Sequence, residues 1–527
     1  MVNVTLFRRK YNRKILVFFL FHAILMKYFL PDFTLEKKEE NMFLFLTGIV
    51  LLCVGYFTYG KMVEKIVGPD DRTPPAVASA DGVDYVVLPH WKNMLIQLLN
   101  IAGVGPVIGV ILGIRFGTIV FLIIPLGNLI AGATHDFLAG MMSLRDNGSN
   151  LPKIIRDHLG EVYGKLFSWF MIVLLLLVVA VFINVPASLC NGLISGSANT
   201  FWIWVGAIFI YYIVATLFPV DKIIGKVYPL FGLMLLLGTA AIFISLLVAG
   251  FKNPALLEMS EAFRLQMFRE PNAPVIPLLF VTIACGIISG FHATQSPIVA
   301  RTMVSEKQAR STFYGMMVVE GIIGMIWAGA GLAIYNMIPK LMTGSPNAAL
   351  LEITKKFLGS GMGTVTVIAV IILAITSGDT ALRSTRLSLS EMLHINQKNF
   401  FNRIMLCLPL IAVVSVLLYW SNMSKNSFAI LWNYFAWGNQ VLAASTLMAA
   451  TVWLMARKKN PLIALLPGVF MTFIVLCYIL WTSPAYKQAY GLGLEIGLAR
   501  DLAILGSVVF GMYAMHCGRK LGSGKPE

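Results

Sequence analysis

Ile101-Ala102-Gly103-Val104-Gly105-Pro106 and Ser289-Gly290-Phe291-His292-Ala293-Thr294-Gln295-Ser296-Pro297 are the two stretches on which the fold turns. Each falls inside an apolar run, 94 to 113 and 275 to 298, of the length that carries a helix through the hydrocarbon of a bilayer. Lipid offers no partner to an interrupted backbone, so a break at that depth must be buried in protein or line a cavity. Glycine admits unusual dihedrals, and Pro106 suits the first position of a restarted helix, where its missing N–H costs nothing. In the second stretch the same reasoning assigns Ser296 as the cap of the restarted helix and Pro297 as its first residue.

Outward from these two runs the chain continues in the same manner. Further apolar runs lie at 42 to 60, 117 to 142, 164 to 184, 201 to 217, 226 to 249, 313 to 338, 361 to 379, 403 to 420, 429 to 455, 461 to 482 and 500 to 516. With the two broken ones they make 13 expected spans. A shorter run, Ile15 to Leu30, follows Arg8, Arg9, Lys10, Arg13 and Lys14 and reads as an extra span, with Met42 as an alternative start. Composition agrees: 58% of the 527 residues are hydrophobic and 13% charged, against about 25% charged in a soluble domain. That excludes a fibrous, disordered or nucleic-acid-binding chain.

The excess of 41 Lys+Arg over 25 Asp+Glu then has a membrane explanation, because basic residues collect in cytoplasmic loops. Assigned to alternate sides of the 13 spans, 23 Lys/Arg fall on one side, including Arg145, Lys153, Arg301 and Arg383, and ten on the other, including Arg115, Lys252 and Lys340. The first side is expected to be cytoplasmic, as is the N-terminus. The six cysteines are scattered and form no Cys-x-x-Cys pair, so they read as small core residues. No Gly-x-x-x-x-Gly-Lys-Ser/Thr loop occurs, and the longest segment between spans, 61 to 93, is too short for a nucleotide-hydrolysing domain. ATP is therefore not expected to drive the protein directly.

The two breaks lie five spans apart and, by the side assignment, run in opposite directions. That is the signature of a five-plus-five inverted repeat with a solute bound between the breaks. The expected fold is all-α and polytopic, with about 13 to 14 transmembrane helices in a LeuT-like arrangement containing two discontinuous helices. Its expected divisions are 1–41 as an N-terminal extension, 42–92 as a peripheral span and loop, 93–250 and 251–456 as the two repeats, and 457–527 as two peripheral spans. Restarted helices present N–H groups and positive dipole ends that attract a carboxylate, while carbonyls of the unwound segments attract a cation. An anionic small solute co-transported with H⁺ or Na⁺, and no other cofactor, follows from this.

Ionisable and polar groups at membrane depth are the candidates for that work. Asp379 stands in Thr376-Ser377-Gly378-Asp379-Thr380, with Arg383 one turn on. The hydroxyls of Thr376, Ser377 and Thr380 lie near enough to share a cation with carbonyls of the first break, and Asp379 either couples an ion or pairs with Arg383. Asp136 is a second ion-coupling candidate. It adjoins His135 in sequence, but neighbours on a helix point about 100° apart, so the two are not expected to act on each other. Candidate substrate contacts are Ala102, Gly103 and Gly105 in the first break, His292, Thr294, Gln295 and Ser296 in the second, and Asn439 and Gln440 in the run at 429 to 455. Glu320 is a weaker candidate.

These residues also carry a resemblance. Asp81-Gly82-Val83-Asp84-Tyr85, Ile101 to Pro106, Asp136-Phe137, Arg145-Asp146-Asn147-Gly148, Ser289-Gly290-Phe291-His292-Ala293 and Leu431-Trp432-x-x-Phe435-x-x-x-Asn439-Gln440-x-Leu442-Ala443 resemble the carbon starvation protein A (CstA) family. The resemblance implies uptake of pyruvate or of peptides across the bacterial inner membrane during nutrient limitation, with proton coupling for pyruvate carriers, and the five-plus-five fold of the amino acid-polyamine-cation superfamily. Larger family members carry a His-His pair where Ile96 and Gln97 stand here, and a longer Ser/Gly/Thr-rich run after Ala293. Residues and resemblance together leave three readings. The first is a cation-coupled symporter of a small carboxylate, amino acid or peptide. The second is an intramembrane aspartyl protease using Asp136 and Asp379, for which Ser377-Gly378-Asp379 is a partial motif. The third is a nutrient receptor or channel.

Overall fold

The computed structural model describes residues 41–80, 85–194, 196–217, 220–266, 274–397, 399–483 and 491–523. The expected extra span at Ile15 to Leu30, and Asp81 to Asp84 of the resemblance, lie outside these residues.

Among the described residues thirteen spans cross the molecule when the one sharply bent pair counts as a single span. In chain order they are α1 (Met42–Val67), α2 (His90–Ile101 and Gly105–Phe116), α3 (Val120–Arg145), α4 (Glu161–Leu193), α5 (Ala198–Leu217), α6 (Leu230–Lys252), α7 (Val275–Ala300), α8 (Glu306–Met337), α9 (Pro346–Met392), α10 (Phe400–Ser421), α11 (Ser427–Ala456), α12 (Leu462–Trp481) and α13 (Ile496–Gly522). Each corresponds to one apolar run read from the sequence. The runs end where charge or turn residues resume, as at Arg145 and Gly117.

Burial separates the spans by role. The apolar stretches of α7, α8 and α11 are more than four-fifths buried within the protein, whereas those of α1, α5 and α13 are less than a third buried and present Val50, Ile203, Leu505 and similar side chains outward. In a bilayer those outer faces meet lipid at no cost, so the inner spans are the ones free to carry polar groups. Besides the restart at Gly105–Gly109 of α2, two of the inner spans contain a wide turn. Asn128–Gly132 of α3 and Arg310–Gly315 of α8 adopt π geometry, which shifts the register of the turns beyond it and often accompanies functional residues. The Asn128 amide donates to the Met317 carbonyl (2.9 Å) and the Tyr314 hydroxyl to the Leu129 carbonyl (3.0 Å), so the two wide turns hold each other.

Candidate functional site

The first break is where the sequence placed it. The helix from His90 ends at Ile101, Ala102 to Val104 are non-helical, and the chain restarts at Gly105, the two halves meeting at 54°. The Ala102 and Gly103 amides close back on the Leu98 and Ile101 carbonyls, both at 2.7 Å. The second break differs from the expectation. Ile288 and Ser289 are extended, and the helix restarts at Gly290, so Ser289 rather than Ser296 occupies the cap position. Pro297 and Ser296 are both interior, and the Ser296 hydroxyl donates to the His292 carbonyl at 3.1 Å. The early restart comes from packing: a Cβ on Gly290 would run into Leu442 and into the backbone of Asn439 and Ala443 on α11, so only glycine lets the two backbones approach this closely. His292 therefore sits in the first turn of the restarted helix rather than inside the break.

The two breaks face each other. The Ile101 carbonyl, last of the first half-helix, looks onto the His292 ring. Gly105 abuts Cys285 of α7 so closely that a Cβ would collide with the Cys285 side chain. The Cα face of Gly105 is thus a packing contact between the broken spans. A Cβ on Gly103 would lie 3.3 Å from the Ser377 hydroxyl of α9, which puts the unwound backbone beside the hydroxyl-bearing turn as expected.

A buried polar cluster gathers at this crossing. His135 Nδ1 lies 2.8 Å from Asp136 Oδ1, His292 Nδ1 lies 3.0 Å from Asp136 Oδ2, and His292 Nε2 lies 3.7 Å from Glu320 Oε2. His135, Asp136 and Glu320 are inaccessible to solvent and His292 is 1% exposed. The reading that His135 and Asp136 do not act on each other is overturned. The helical offset separates their Cβ directions, but both side chains are long enough to bend back into one hydrogen bond.

Asp379 stands apart from this cluster. Among the described residues the groups facing it are Arg383, whose Nη2 is 4.0 Å from Oδ1, and Tyr211. The groups facing Asp136 are His135, His292 and Glu320. Neither aspartate is among the groups that face the other, so the paired carboxylates that an aspartyl protease requires are not seen among the described residues. The Thr376, Ser377 and Thr380 hydroxyls donate to the Leu373, Leu373 and Ser377 carbonyls at 2.8, 3.1 and 3.0 Å, and a hydroxyl that donates still carries lone pairs able to ligate a cation.

The remaining candidates surround the second break. Thr294 donates to the Phe291 carbonyl (2.6 Å), Gln295 Nε2 to Thr294 (2.9 Å), and Gln440 Nε2 to the Val281 carbonyl (3.3 Å). Gln295 Oε1, Gln440 Oε1 and both polar atoms of Asn439 are buried without a protein partner, as are those of Gln97. Groups in that condition are costly unless something else satisfies them. A cavity of about 210 Å³ lies towards the face of the bundle where α9 begins, lined by Ile108, Phe116, Thr282, Asn347, Trp432 and Asn433 among others. None of the candidate residues lines it. From Trp432 in its lining, Phe435, Phe182 and Phe291 continue as a row of touching aromatics that ends next to His292 in the chain, with successive ring centroids 5.4, 5.7 and 6.3 Å apart.

Glu320 is more central than its sequence context suggests. The interlock at the basic-rich face, where Arg145, Glu306, Arg72 and Asp70 converge, is absent from the sequence-based expectations altogether. Arg145 donates to Glu306 at 3.0 to 3.3 Å and to the Gly68 carbonyl at 2.7 Å. Arg72, in turn, holds the exposed Asp70 carboxyl well below the usual carboxylate range. An acid in an apolar run was the available signal for Glu320; nothing local marks Glu306.

Known proteins share both the sequence and the fold. The family model described as carbon starvation protein CstA matches residues 40–203, 194–351 and 336–477. An uncharacterized membrane protein of Haemophilus influenzae is 38% identical over 345 residues, 57% of this chain and 93% of that one. The peptide transporter CstA of Bacillus subtilis is 27% identical, covering 53% of this chain and 56% of its own. The pyruvate/proton symporter BtsT of Escherichia coli is 25% identical, covering 54% and 48%. The chain thus spans about half the length of the named transporters it matches. Among solved structures, MhsT in complex with L-phenylalanine superposes with a TM-score of 0.54 at 11% identity, covering 81% of this chain and 99% of that one. A Na⁺-coupled sialic acid symporter superposes at 0.51 and 12% identity, covering 91% and 98%. At these identities the likeness speaks for the fold alone, and the fold is that of LeuT-type transporters.

Proposed function

The chain belongs to the carbon starvation protein CstA family, and from that premise we propose that it is a secondary active transporter taking up a small carboxylate such as pyruvate, or a short peptide, with H⁺ as the coupling ion. The observation that carries the reading is the meeting of two oppositely directed, broken helices at a buried crossing. There the half-helix starts at Gly105 and Gly290 offer positive dipole ends to a carboxylate. Rocking of the repeats about that crossing would expose it alternately to either face. The cavity beside Trp432 is then the outer approach, and the row of aromatics from Trp432 to Phe291 is what shifts as solute passes towards His292. The excess of Lys and Arg on the face carrying Arg145 and Lys153 supports a cytoplasmic placement of that face, and the bacterial relatives support an inner membrane. The named relatives and fold neighbours are transporters rather than enzymes.

A Na⁺-coupled amino acid or peptide symporter is the second reading, favoured by the placement of the Ser377 hydroxyl beside Gly103. Purified protein in liposomes, offered labelled pyruvate, other short carboxylates, amino acids and di- and tripeptides under H⁺ or Na⁺ gradients applied separately, decides between them. Accumulation of a carboxylate or peptide under the H⁺ gradient supports the first reading. Accumulation under Na⁺ alone supports the second, and flux without saturation or coupling refutes both.

A further inference from the structure

The polar cluster at the crossing holds more titratable groups than solute binding requires. Its members come from three different elements: His135 and Asp136 from α3, His292 from the restarted half of α7, and Glu320 from α8. Both oxygens of Asp136 are occupied, one by each histidine. Glu320 is in the opposite condition, fully buried, with neither oxygen hydrogen-bonded and only the His292 ring nearby at 3.7 Å. Among the described residues the titratable or charged groups facing it are His292, Asp136 and the Cys285 thiol of α7, and none is a lysine or arginine. Neither oxygen of the buried Asp379 is hydrogen-bonded either, but Asp379 has the guanidinium of Arg383 4.0 Å away, a cation that Glu320 lacks.

We propose that His135, Asp136, His292 and Glu320 form the proton-binding centre that couples transport, with Glu320 taking up and releasing the transported proton. This rests on the reading of the chain as an H⁺-coupled carrier. A buried carboxylate without a donor costs far more than the buried neutral acid, so closure over the cluster favours Glu320 with its proton on. Asp136 and His292 can remain an ion pair or a neutral pair throughout, because the Nδ1–H of His292 faces Asp136 and its Nε2 faces Glu320. Uptake forms one O–H bond at Glu320 from a proton of the outer solution. Release breaks it to water on the inner side, and no electrons move.

The link to solute is geometric. His292 stands in the first turn after the second break and faces the Ile101 carbonyl at the end of the first, so its ring touches both segments that must move during transport. A small displacement of either half-helix lengthens or closes the 3.7 Å gap to Glu320. Proton affinity and solute position then change together, which is what coupling requires.

The test uses the full chain in liposomes with labelled pyruvate and, in parallel, labelled dialanine. Solute counterflow at equal pH is measured beside accumulation driven by an inward proton gradient. Wild type is expected to do both, accumulating about tenfold per pH unit for one proton per anion. Glu320→Gln should keep counterflow, lose its pH dependence, and drop accumulation to near equality with the outside, while Asp70→Asn, half exposed at the basic-rich face, still accumulates. A carbodiimide, which couples to protonated carboxyls in apolar surroundings, provides a readout on the unmutated protein: peptide mass spectrometry should find Glu320 modified, and more so in acid than in alkali. Accumulation by Glu320→Gln with a wild-type pH profile overturns the proposal, as does carbodiimide inactivation that leaves Glu320 unlabelled. Wild type that exchanges solute yet is driven by Na⁺ alone overturns it too. Absence of both counterflow and accumulation in wild type refutes instead the underlying transport reading.

Discussion

Replacing Glu306 by alanine removes the centre of the interlock at the basic-rich face, and the structure sets the size of the effect. The Glu306 side chain is 1% exposed and that of Arg145 6%. Glu306 accepts from Arg145 Nε at 3.1 and 3.3 Å, from Arg145 Nη2 at 3.0 Å, and from the Asp70 amide at 3.2 Å. Without the carboxylate, the Arg145 guanidinium keeps only the Gly68 carbonyl and the Trp453 ring at 5.7 Å as close partners, with Asp70 4.0 Å away and half exposed. Breaking one side of a buried pair costs about 3 to 5 kcal/mol, and the remaining partners put this case near the lower end. The outer Arg72–Asp70 pair, half exposed on both sides, contributes at most about 1 kcal/mol, so Asp70→Asn should be nearly silent. Because apolar replacement of both members of a buried pair is often close to neutral, Glu306→Met with Arg145→Met should cost much less than the two single changes added. Denaturant unfolding of the purified protein in mixed micelles gives all four corners of the cycle. A single-variant loss below about 1 kcal/mol, or corners that add within about 0.5 kcal/mol, would refute the reading of this pair as the centre of the interlock.

Gly290→Ala should lower stability by about 1 to 3 kcal/mol or more, since the added carbon meets α11 backbone that cannot swing aside; an unchanged thermal midpoint in detergent would contradict the close approach. Gly105→Ala should express poorly for a similar reason, and Cys285→Gly should partly rescue it because the collision is with that side chain; absence of rescue would place the strain elsewhere. Asn439→Leu should leave stability within about 0.5 kcal/mol of wild type, because the amide makes no protein hydrogen bond to lose, while counterflow falls at least tenfold if the group serves solute. A large loss of stability with transport intact would reverse that assignment.

The spans and the position of the first break were legible because bilayer thickness and backbone satisfaction impose a length and a penalty that local sequence displays directly. Gly103-Val104-Gly105-Pro106 reads as a break or as a packing kink, and its partner five spans on favours the break. The second break was legible only as a region: Ser296 and Pro297 carry the local signature of a helix start, but the actual restart at Gly290 answers to Asn439 and Leu442, about 150 residues away. The polar cluster was obscured for the same reason. Helical offset alone separates His135 from Asp136, and only the packing of α7 and α8 against α3 brings His292 and Glu320 to the same carboxylate. Which acid faces an arginine and which faces a histidine, the difference between Asp379 and Glu320, is a tertiary fact with no local marker.

Solute must occupy the crossing of the two broken helices if their geometry is what moves it. An electron-microscopic map of the protein in lipid nanodiscs, recorded with and without saturating solute from the uptake screen, tests this directly. Added density between the Ala102–Gly103 backbone and the Ser289–His292 turn is the predicted result. Density confined to the cavity beside Trp432, or α2 and α7 running unbroken through the membrane, would contradict it.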